Sequence, residues 1–513
     1  MKLISRILAA AFIGCASIQG SALYALQNME QVAATQSPKL EAAASRFLDL
    51  FFDEQVTPAK IMAAVDSRAL EGGTGRIEGL LRALNNHFER PESINLLKRS
   101  NGHYSLILKT GQNTYADMRM EISEETGFKV GAFQVTPHRQ PLSAENAGKS
   151  DIKLIDEIDT YMEGLAAKDE FSGTVLIAKD GKPIYMTFIG EADKATGRKN
   201  TIDTPINLGS MNKTWTSVAV AQLVERGLLD WDDLVGKHLP TYPNAKVRDK
   251  VTLKMLLSHR SGLQAFATDA DFDAYRKATE ISDLITVISD NALLFEPDTA
   301  FQYSNAGPML LGAIIEAVTG EDYYAYVRKN ILEVAGMTRS GFFRKTNEQA
   351  GFARGYFQPS QGGDPRRRRP GKLTVTGEWQ PNYTMIGLQG SPAGGAYASA
   401  PDLLRFAGAL QDGTLLKPET FQKLITPQEI RDGNPAYGYL FITQEENGHF
   451  YWGHNGGAPG IQADFSHFPK LGFTAIVLSN YGSAALPVSR QIRHWLSMGK
   501  TAKDLAGASQ SGT

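Results

Sequence analysis

Cysteine is nearly absent: Cys15 is the one cysteine in 513 residues. A disulfide framework needs pairs and a cysteine-rich zinc site needs several, so both are excluded. An excess of charge of one sign is also missing, because 53 Lys and Arg face 55 Asp and Glu, a formal charge of −2. The basic footprint expected of a nucleic-acid binder is therefore lacking. His449, His454 and His467 lie close in sequence but lack the spacing and carboxylate neighbours of a zinc site. No Gly-x-Ser-x-Gly nucleophile elbow occurs and no internal repeat is visible. No segment approaches the ~20 apolar residues of a membrane-spanning helix. What is present is ordinary for a folded chain, with 42% hydrophobic and 21% charged residues. At roughly 100 to 200 residues per domain, the length calls for two or more units.

The start of the chain carries Lys2 and Arg6, an apolar run from Ile7 to Ala16, and small residues around Gly20, Ala22 and Ala25. This pattern predicts a secretory leader over residues 1–25. Cleavage would take two basic residues and no acidic one, moving the charge from −2 to −4. Cys15 leaves with the leader, so an exported, periplasmic or secreted chain would have no thiol. The alternative makes Cys15 the lipid-modified first residue of an anchored lipoprotein, a signal that Phe12 and Ile13 fit poorly.

Beyond the leader, apolar residues at helical spacing over Leu40 to Phe52 and Ile77 to Phe88 give way to short strand-like runs. These runs are Ile94 to Leu97, Tyr104 to Leu108, Tyr115 to Ile122 and Phe128 to Phe133. Two helices and an antiparallel meander predict a small α+β module over 26–137. A polar linker follows at 138–151, then a larger unit over 152–498 and a flexible tail over 499–513. The larger unit opens with a helix from Ile152 to Leu165 and a hairpin turning at Asp180-Gly181. Its middle is helical: Val218 to Leu229, Leu253 to Leu257, Met309 to Val318, Tyr323 to Leu332 and Asp402 to Leu410. Strands return at Phe450 to Trp452, Ile461 to Phe468 and Phe473 to Leu478, before a last helix from Pro487 to Leu496. The expected architecture is an antiparallel sheet made from both ends of this unit, flanked by helices, with a helical subdomain inserted in the middle.

Three segments carry chemistry. Ser210-Met211-Asn212-Lys213 stands where an extended segment meets an amphipathic helix, so exposed backbone N–H groups and the positive helix end favour negative charge on a substrate oxygen. Lys213 lies on the same helical face as Ser210. To act as a base it must lose its proton: at an ordinary pKa near 10.4, only about one lysine in 2,500 is neutral at pH 7. Holding it half neutral there needs a shift of about 3.4 units, or roughly 4.6 kcal/mol, which burial can supply. Ser-x-x-Lys by itself is weak, since Ser150 to Lys153 and Ser497 to Lys500 repeat it by accident. The second segment, Tyr303-Ser304-Asn305, sits on a tight connection before an apolar helix, where Tyr303 is placed to relay a proton and Asn305 to hold a substrate amide. Tyr242-Pro243-Asn244 has the same spacing and reads as a structural turn. The third segment runs from Trp452 to Gly460 and includes His454-Asn455-Gly456-Gly457, whose glycines permit close backbone approach.

Ser210-x-x-Lys213, Tyr303-x-Asn305 and His454-x-Gly456, in that order, resemble the serine β-lactamase and penicillin-binding protein superfamily. The branch is that of class C β-lactamases, D-alanyl-D-alanine carboxypeptidases and related esterases. Leu256 to Leu263 and Ala393 to Ser399 are similar to stretches typical of it, so the resemblance covers Ile152 to Leu496. It implies a β-lactamase/transpeptidase-like α/β (α+β) fold and a serine hydrolase working through an acyl-enzyme, with no cofactor and no metal. It also implies that Ser210 is the nucleophile, that Lys213 and Tyr303 share base and proton-shuttle work, that Asn305 positions substrate, and that the oxyanion rests on the backbone N–H groups of Ser210 and Gly457. The front module resembles, less specifically, small modules of the nuclear transport factor 2-like kind.

One departure bears on substrate. Many β-lactamases place a lysine in the third motif, a permanent cation for a substrate carboxylate, whereas His454 is mostly neutral at pH 7. An ester or a peptide-like amide is therefore expected over an efficiently hydrolysed β-lactam, with Arg490 on the last helix as the residue that would replace the missing charge. The competing reading is a penicillin-binding or cell-wall-peptide-binding sensor with the same fold and little turnover. His259 reads as a satisfied structural histidine, and Arg366 to Arg369 as a solvated loop.

Overall fold

A computed structural model describes residues 38–66 without 54, positions 74, 77, 78 and 81, and residues 97–100, 103–109, 115–122, 127–138 and 151–498. The last stretch omits 267, 290, 345, 347–350, 359–377 and 432–433. The leader with Cys15, most of the helix expected from Ile77 to Phe88, residues 94–96, most of the linker, the arginine run at 366–369 and the tail lie outside the described residues. The chain divides into two compact units, with a boundary between Pro141 and Leu142.

In the first unit, helix α1 (Pro38–Phe51) buries Ala44, Phe47, Leu48 and Phe51, spaced at three and four residues, against Met118, Met120 and Ile122. Helix α2 (Pro58–Ala64) starts where Pro58 needs no N–H partner and the Thr57 side chain accepts from the Lys60 N–H. Strands β1 (Leu97–Ser100), β2 (His103–Lys109), β3 (Tyr115–Ile122) and β4 (Val130–His138) form an antiparallel meander in chain order. Strand β4 runs further than the expected Phe128 to Phe133 and passes through Thr136 and Pro137, because its register with β3 carries on until His138 faces Tyr115.

The second unit opens with helix α3 (Asp151–Ala167) and the hairpin of β5 (Gly173–Lys179) and β6 (Lys182–Ile189). Asp180 and Gly181 turn it with φ of 49° and 74°, the left-handed values that a two-residue hairpin needs. The remaining strands come from the far end of the chain: β7 (Glu429–Arg431), β8 (Asn434–Tyr437), β9 (Ile442–Glu446), β10 (His449–Ala458), β11 (Ile461–Phe468) and β12 (Phe473–Ser479). They make one antiparallel eight-stranded sheet in the order β7-β8-β9-β10-β11-β12-β5-β6. Alternation along the strands gives the sheet two apolar faces. Leu176, Trp452, Phe465 and Leu478 pack with helices α4 (Lys213–Glu225), α5 (Ala306–Thr319) and α6 (Ala400–Gln411). Val175, Tyr451, Ala475 and Val477 pack with α3 and the terminal helix α7 (Ala485–Met498).

This is the expected mixed α/β architecture, with helices on both faces of an antiparallel sheet and the helical part inserted between its halves. Sequence reading missed β7, β8 and β9. Pro435 breaks the pattern of β8, and β9 is largely polar because Gln444 and Glu445 are exposed.

Candidate active site

Ser210 stands on a one-turn 3₁₀ helix, Gly209–Asn212, that leads directly into α4. In such a turn, side chains three apart eclipse one another, which sets Lys213 beneath Ser210. Bare backbone makes the turn possible. Gly209 has φ 52°, and its carbonyl accepts from the Gly395 N–H at 2.9 Å. Gly456 on β10 lies so close to the turn that a Cβ there would meet the Leu208 oxygen at 1.8 Å and the Ser210 nitrogen at 2.7 Å. The glycines of the third segment therefore serve close approach, and they bring the backbone of Gly456 and Gly457 against Gly209 and Ser210.

Lys213 is 0% exposed. Its Nζ donates to Asn305 Oδ1 at 2.8 Å and to the Ala393 carbonyl, and it lies 4.9 Å from the centre of the Tyr303 ring. Among the described residues no carboxylate pairs with it, and burial lowers its pKa well below the usual lysine value. A neutral amine has two N–H groups and one lone pair. The two acceptors use both N–H groups and leave the lone pair free to take a proton.

Tyr303 is 39% exposed, so its ring is open to the cleft. Burial of its hydroxyl end pushes the Tyr303 pKa up, and the neighbouring Ser210 side chain opposes that shift. Asn305 begins α5 without a side-chain cap, so its amide is available to other partners. Expected to hold a substrate amide, it gives its oxygen to Lys213 in this structure and keeps the Nδ2 donor.

His454 lies on β10 and is 2% exposed. Its Nε2 is 2.8 Å from Tyr437 Oη and its Nδ1 is 2.5 Å from the Asn455 carbonyl. Burial and the nearby Lys213 lower its pKa to about 3. Both nitrogens are thus engaged within the protein and the ring is uncharged at neutral pH. Arg490 does not come to the cleft. It lies on α7, which packs on the face of the sheet opposite the one that carries His454 and Phe465, because register and alternation put Asn455 and Asp464 on the α7 side. His259 is buried and hydrogen-bonded at both ring nitrogens, as a structural histidine should be. Asn244 accepts from the Val247 N–H at the head of a short helix, so Tyr242-Pro243-Asn244 is a structural turn.

These groups surround a cleft of about 640 Å³. Ser210, Tyr303 and His454 line it with Gly456 and Gly457, while Phe301 and Ile442 add apolar wall. Glu445 is the one charged side chain among the described lining residues. Sequence reading missed Tyr437 and Glu445, which lie on or beside the unrecognised strands β8 and β9, and the Ala393 carbonyl, which has no side-chain signal at all.

A serine, a buried lysine and a tyrosine thus converge at the start of a helix beside a sheet strand, and the comparisons give the family of the chain. A family profile described as Beta-lactamase matches residues 157–496, and the chain belongs to that family, within the serine β-lactamase and penicillin-binding protein superfamily. PbpX of Bacillus subtilis (strain 168), named as a penicillin-binding protein, is 29% identical over 359 residues, which are 69% of this chain and 82% of that protein. The penicillin-binding protein from Bacillus halodurans matches in structure with a TM-score of 0.57 at 29% identity, covering 65% of this chain and 98% of that one. The octameric penicillin-binding protein homologue from Pyrococcus abyssi matches with a TM-score of 0.56 at 27% identity, covering 69% and 78%.

Proposed function

We propose that the protein is a serine hydrolase, exported by its leader, that cleaves an ester or a peptide-like amide through an acyl-enzyme on Ser210. The observation that carries this reading is Lys213: a fully buried amine with no anionic partner among the described residues, hydrogen-bonded as a neutral base should be, directly under Tyr303. As Ser210 Oγ attacks the substrate carbonyl, Tyr303 relays the serine proton to the departing oxygen or nitrogen, with the Lys213 lone pair as the base behind it. The carbonyl oxygen becomes an anion held by the N–H groups of Ser210 and Gly457. Water then attacks the ester formed on Ser210, and the same groups return the proton to Oγ.

The cleft favours substrates without a free carboxylate. His454 is uncharged with both nitrogens occupied, Lys213 is turned inward, and the charged lining residue is Glu445. A penicillin carboxylate finds no cation among the described lining residues, so β-lactams are at best slow substrates. The second reading is a penicillin-binding or cell-wall-peptide-binding sensor with the same fold and little turnover, and the names of the penicillin-binding relatives favour its penicillin-binding form.

Intact-protein mass spectrometry after treatment with a fluorophosphonate or a penicillin tests the acyl-enzyme. One adduct on the wild type and none on Ser210→Ala is expected. No adduct on the wild type, or an equal one on Ser210→Ala, sinks the proposal. Turnover of short-chain esters, D-Ala-D-Ala peptides and a chromogenic cephalosporin separates hydrolase from sensor.

A further inference from the structure

Two buried histidines flank one tyrosine hydroxyl. Tyr437 Oη is 3.2 Å from His259 Nε2 and 2.8 Å from His454 Nε2. The other ring nitrogens determine where each proton sits. The Ser304 N–H donates to His259 Nδ1 at 3.3 Å, so that nitrogen is the acceptor and Nε2 carries the proton. His454 Nδ1 faces the Asn455 carbonyl at 2.5 Å. A carbonyl only accepts, so His454 carries its proton on Nδ1 and its Nε2 is the acceptor. A hydroxyl can accept from one neighbour and donate to another. The result is a directed chain: Ser304 N–H to His259, His259 Nε2–H to Tyr437, Tyr437 O–H to His454 Nε2, and His454 Nδ1–H to the Asn455 carbonyl. The three rings are exposed by only 1%, 5% and 2%, so solvent does not replace a missing partner.

The chain joins the two sides of the cleft. At one end the Tyr303 ring lies on His259, with centres 4.4 Å apart, and the adjoining Ser304 backbone is bonded to the same imidazole. At the other end Asn455 stands two residues before Gly457. Tyr437, on β8, is the link between them.

We propose that Tyr437 is a positioning residue: its hydroxyl braces the Nδ1-protonated His454 at Nε2 and sets the Tyr303 loop against the strand that carries Gly457. The catalytic consequence rests on the acyl-enzyme reading above, whereas the tautomer assignment does not. The proton shuttle and the oxyanion donor belong to different elements, and Tyr437 fixes their separation without touching the reacting atoms.

Tyr437→Phe keeps the ring and removes only the hydroxyl. In the folded variant, confirmed by an unchanged near-UV spectrum, kcat for an aryl ester should fall about 10- to 100-fold, the cost of a misplacement near 1 Å, while KM stays within about twofold. Long-range ¹H–¹⁵N spectra of histidine-labelled wild type at neutral pH should show His259 as the Nε2–H and His454 as the Nδ1–H tautomer. In Tyr437→Phe the His454 Nε2 signal should shift as that nitrogen loses its hydrogen-bond donor, with Nδ1 still protonated against the Asn455 carbonyl. A wild-type His454 found as Nε2–H or as imidazolium overturns the assignment even if the variant does not fold. A folded Tyr437→Phe whose kcat stays within about twofold of wild type overturns the positioning role. Failure of the wild type to label at Ser210 removes the acyl-enzyme reading and the kcat expectation with it, and the tautomers are then read from the spectra alone.

Discussion

The two walls of the cleft bury basic side chains for the same physical reason and to opposite effect. On the helical wall, Lys213 is cut off from solvent and its pKa is lowered by desolvation. On the sheet wall, His454 is equally cut off and its pKa falls to about 3 by the same cause. The difference is in the lone pairs. Among the described residues Lys213 meets two acceptors and no donor, which leaves it a proton acceptor. His454 meets an acceptor at Nδ1 and the Tyr437 hydroxyl at Nε2, so it has no lone pair to offer. Burial makes a group neutral; the hydrogen bonds around it decide whether it is a base or a brace.

The largest test of that contrast removes the reactive wall. Ser210→Ala and Lys213→Met should each lower kcat/KM by at least about 10³-fold, with the double variant little worse than either, because groups acting as a unit are not additive. The wild-type profile should lose activity as pH falls through the lowered Lys213 pKa, since the protonated amine is no base. Steady-state kinetics on an aryl ester measure both. A double variant that shows the product of the two losses would separate Lys213 from Ser210.

Next comes the contact between the walls. Gly456→Ala puts a methyl into the Leu208 and Ser210 backbone and should cost about 1–3 kcal/mol or more in denaturant unfolding. At Gly457 the nearest atom to an added Cβ is 3.7 Å away, so Gly457→Ala should stay within about 0.5 kcal/mol. Equal losses at the two positions would mean that the turn and β10 are not in close contact.

The sheet wall has a pH signature of its own. Unfolded His454 takes up a proton near 6.5 while the folded ring resists until about 3, so its contribution to stability is full above 6.5 and declines as pH falls between the two values. At about 1.4 kcal/mol per unit this reaches roughly 5 kcal/mol at the acid end. His467, lowered to about 4, adds to the same slope, so the informative quantity is the difference between wild type and His454→Gln. Parallel slopes in urea unfolding across that range would argue that His454 is not held neutral.

The smallest expected effect is at the rim. Glu445→Gln should raise the ratio of carboxylate-bearing to neutral substrate turnover by about two- to fivefold, an effect that added salt weakens. A ratio insensitive to both the substitution and salt would place Glu445 outside the substrate path.

The helical wall is legible in the amino-acid sequence. Ser210, Lys213 and Tyr303 occur at spacings that local geometry accounts for: one turn holds the first two and a tight connection presents the third. The glycines of the third segment are legible as sites of close approach, and the fold supplies their partners, Leu208 and Ser210. Most of the sheet wall is not legible in this way. Tyr437 sits two residues after Pro435 on a four-residue strand, too short for alternation to register. Arg490 was expected at the cleft on the strength of its charge, and the sheet stands between them.

By itself, the sequence determined the turn and helix that carry Ser210 and Lys213, the tight connection that carries Tyr303, the order of the three segments, and the antiparallel sheet drawn from both ends of the unit. These follow from local spacing, backbone preference and composition, which are written along one dimension. Only the tertiary structure decided that Lys213 is buried without an anion among the described residues, that the Ala393 carbonyl and Asn305 receive its protons, and that His259, Tyr437 and His454 form one directed chain. Those facts depend on which lone pair faces which proton across elements up to 180 residues apart, and nothing in local sequence specifies that.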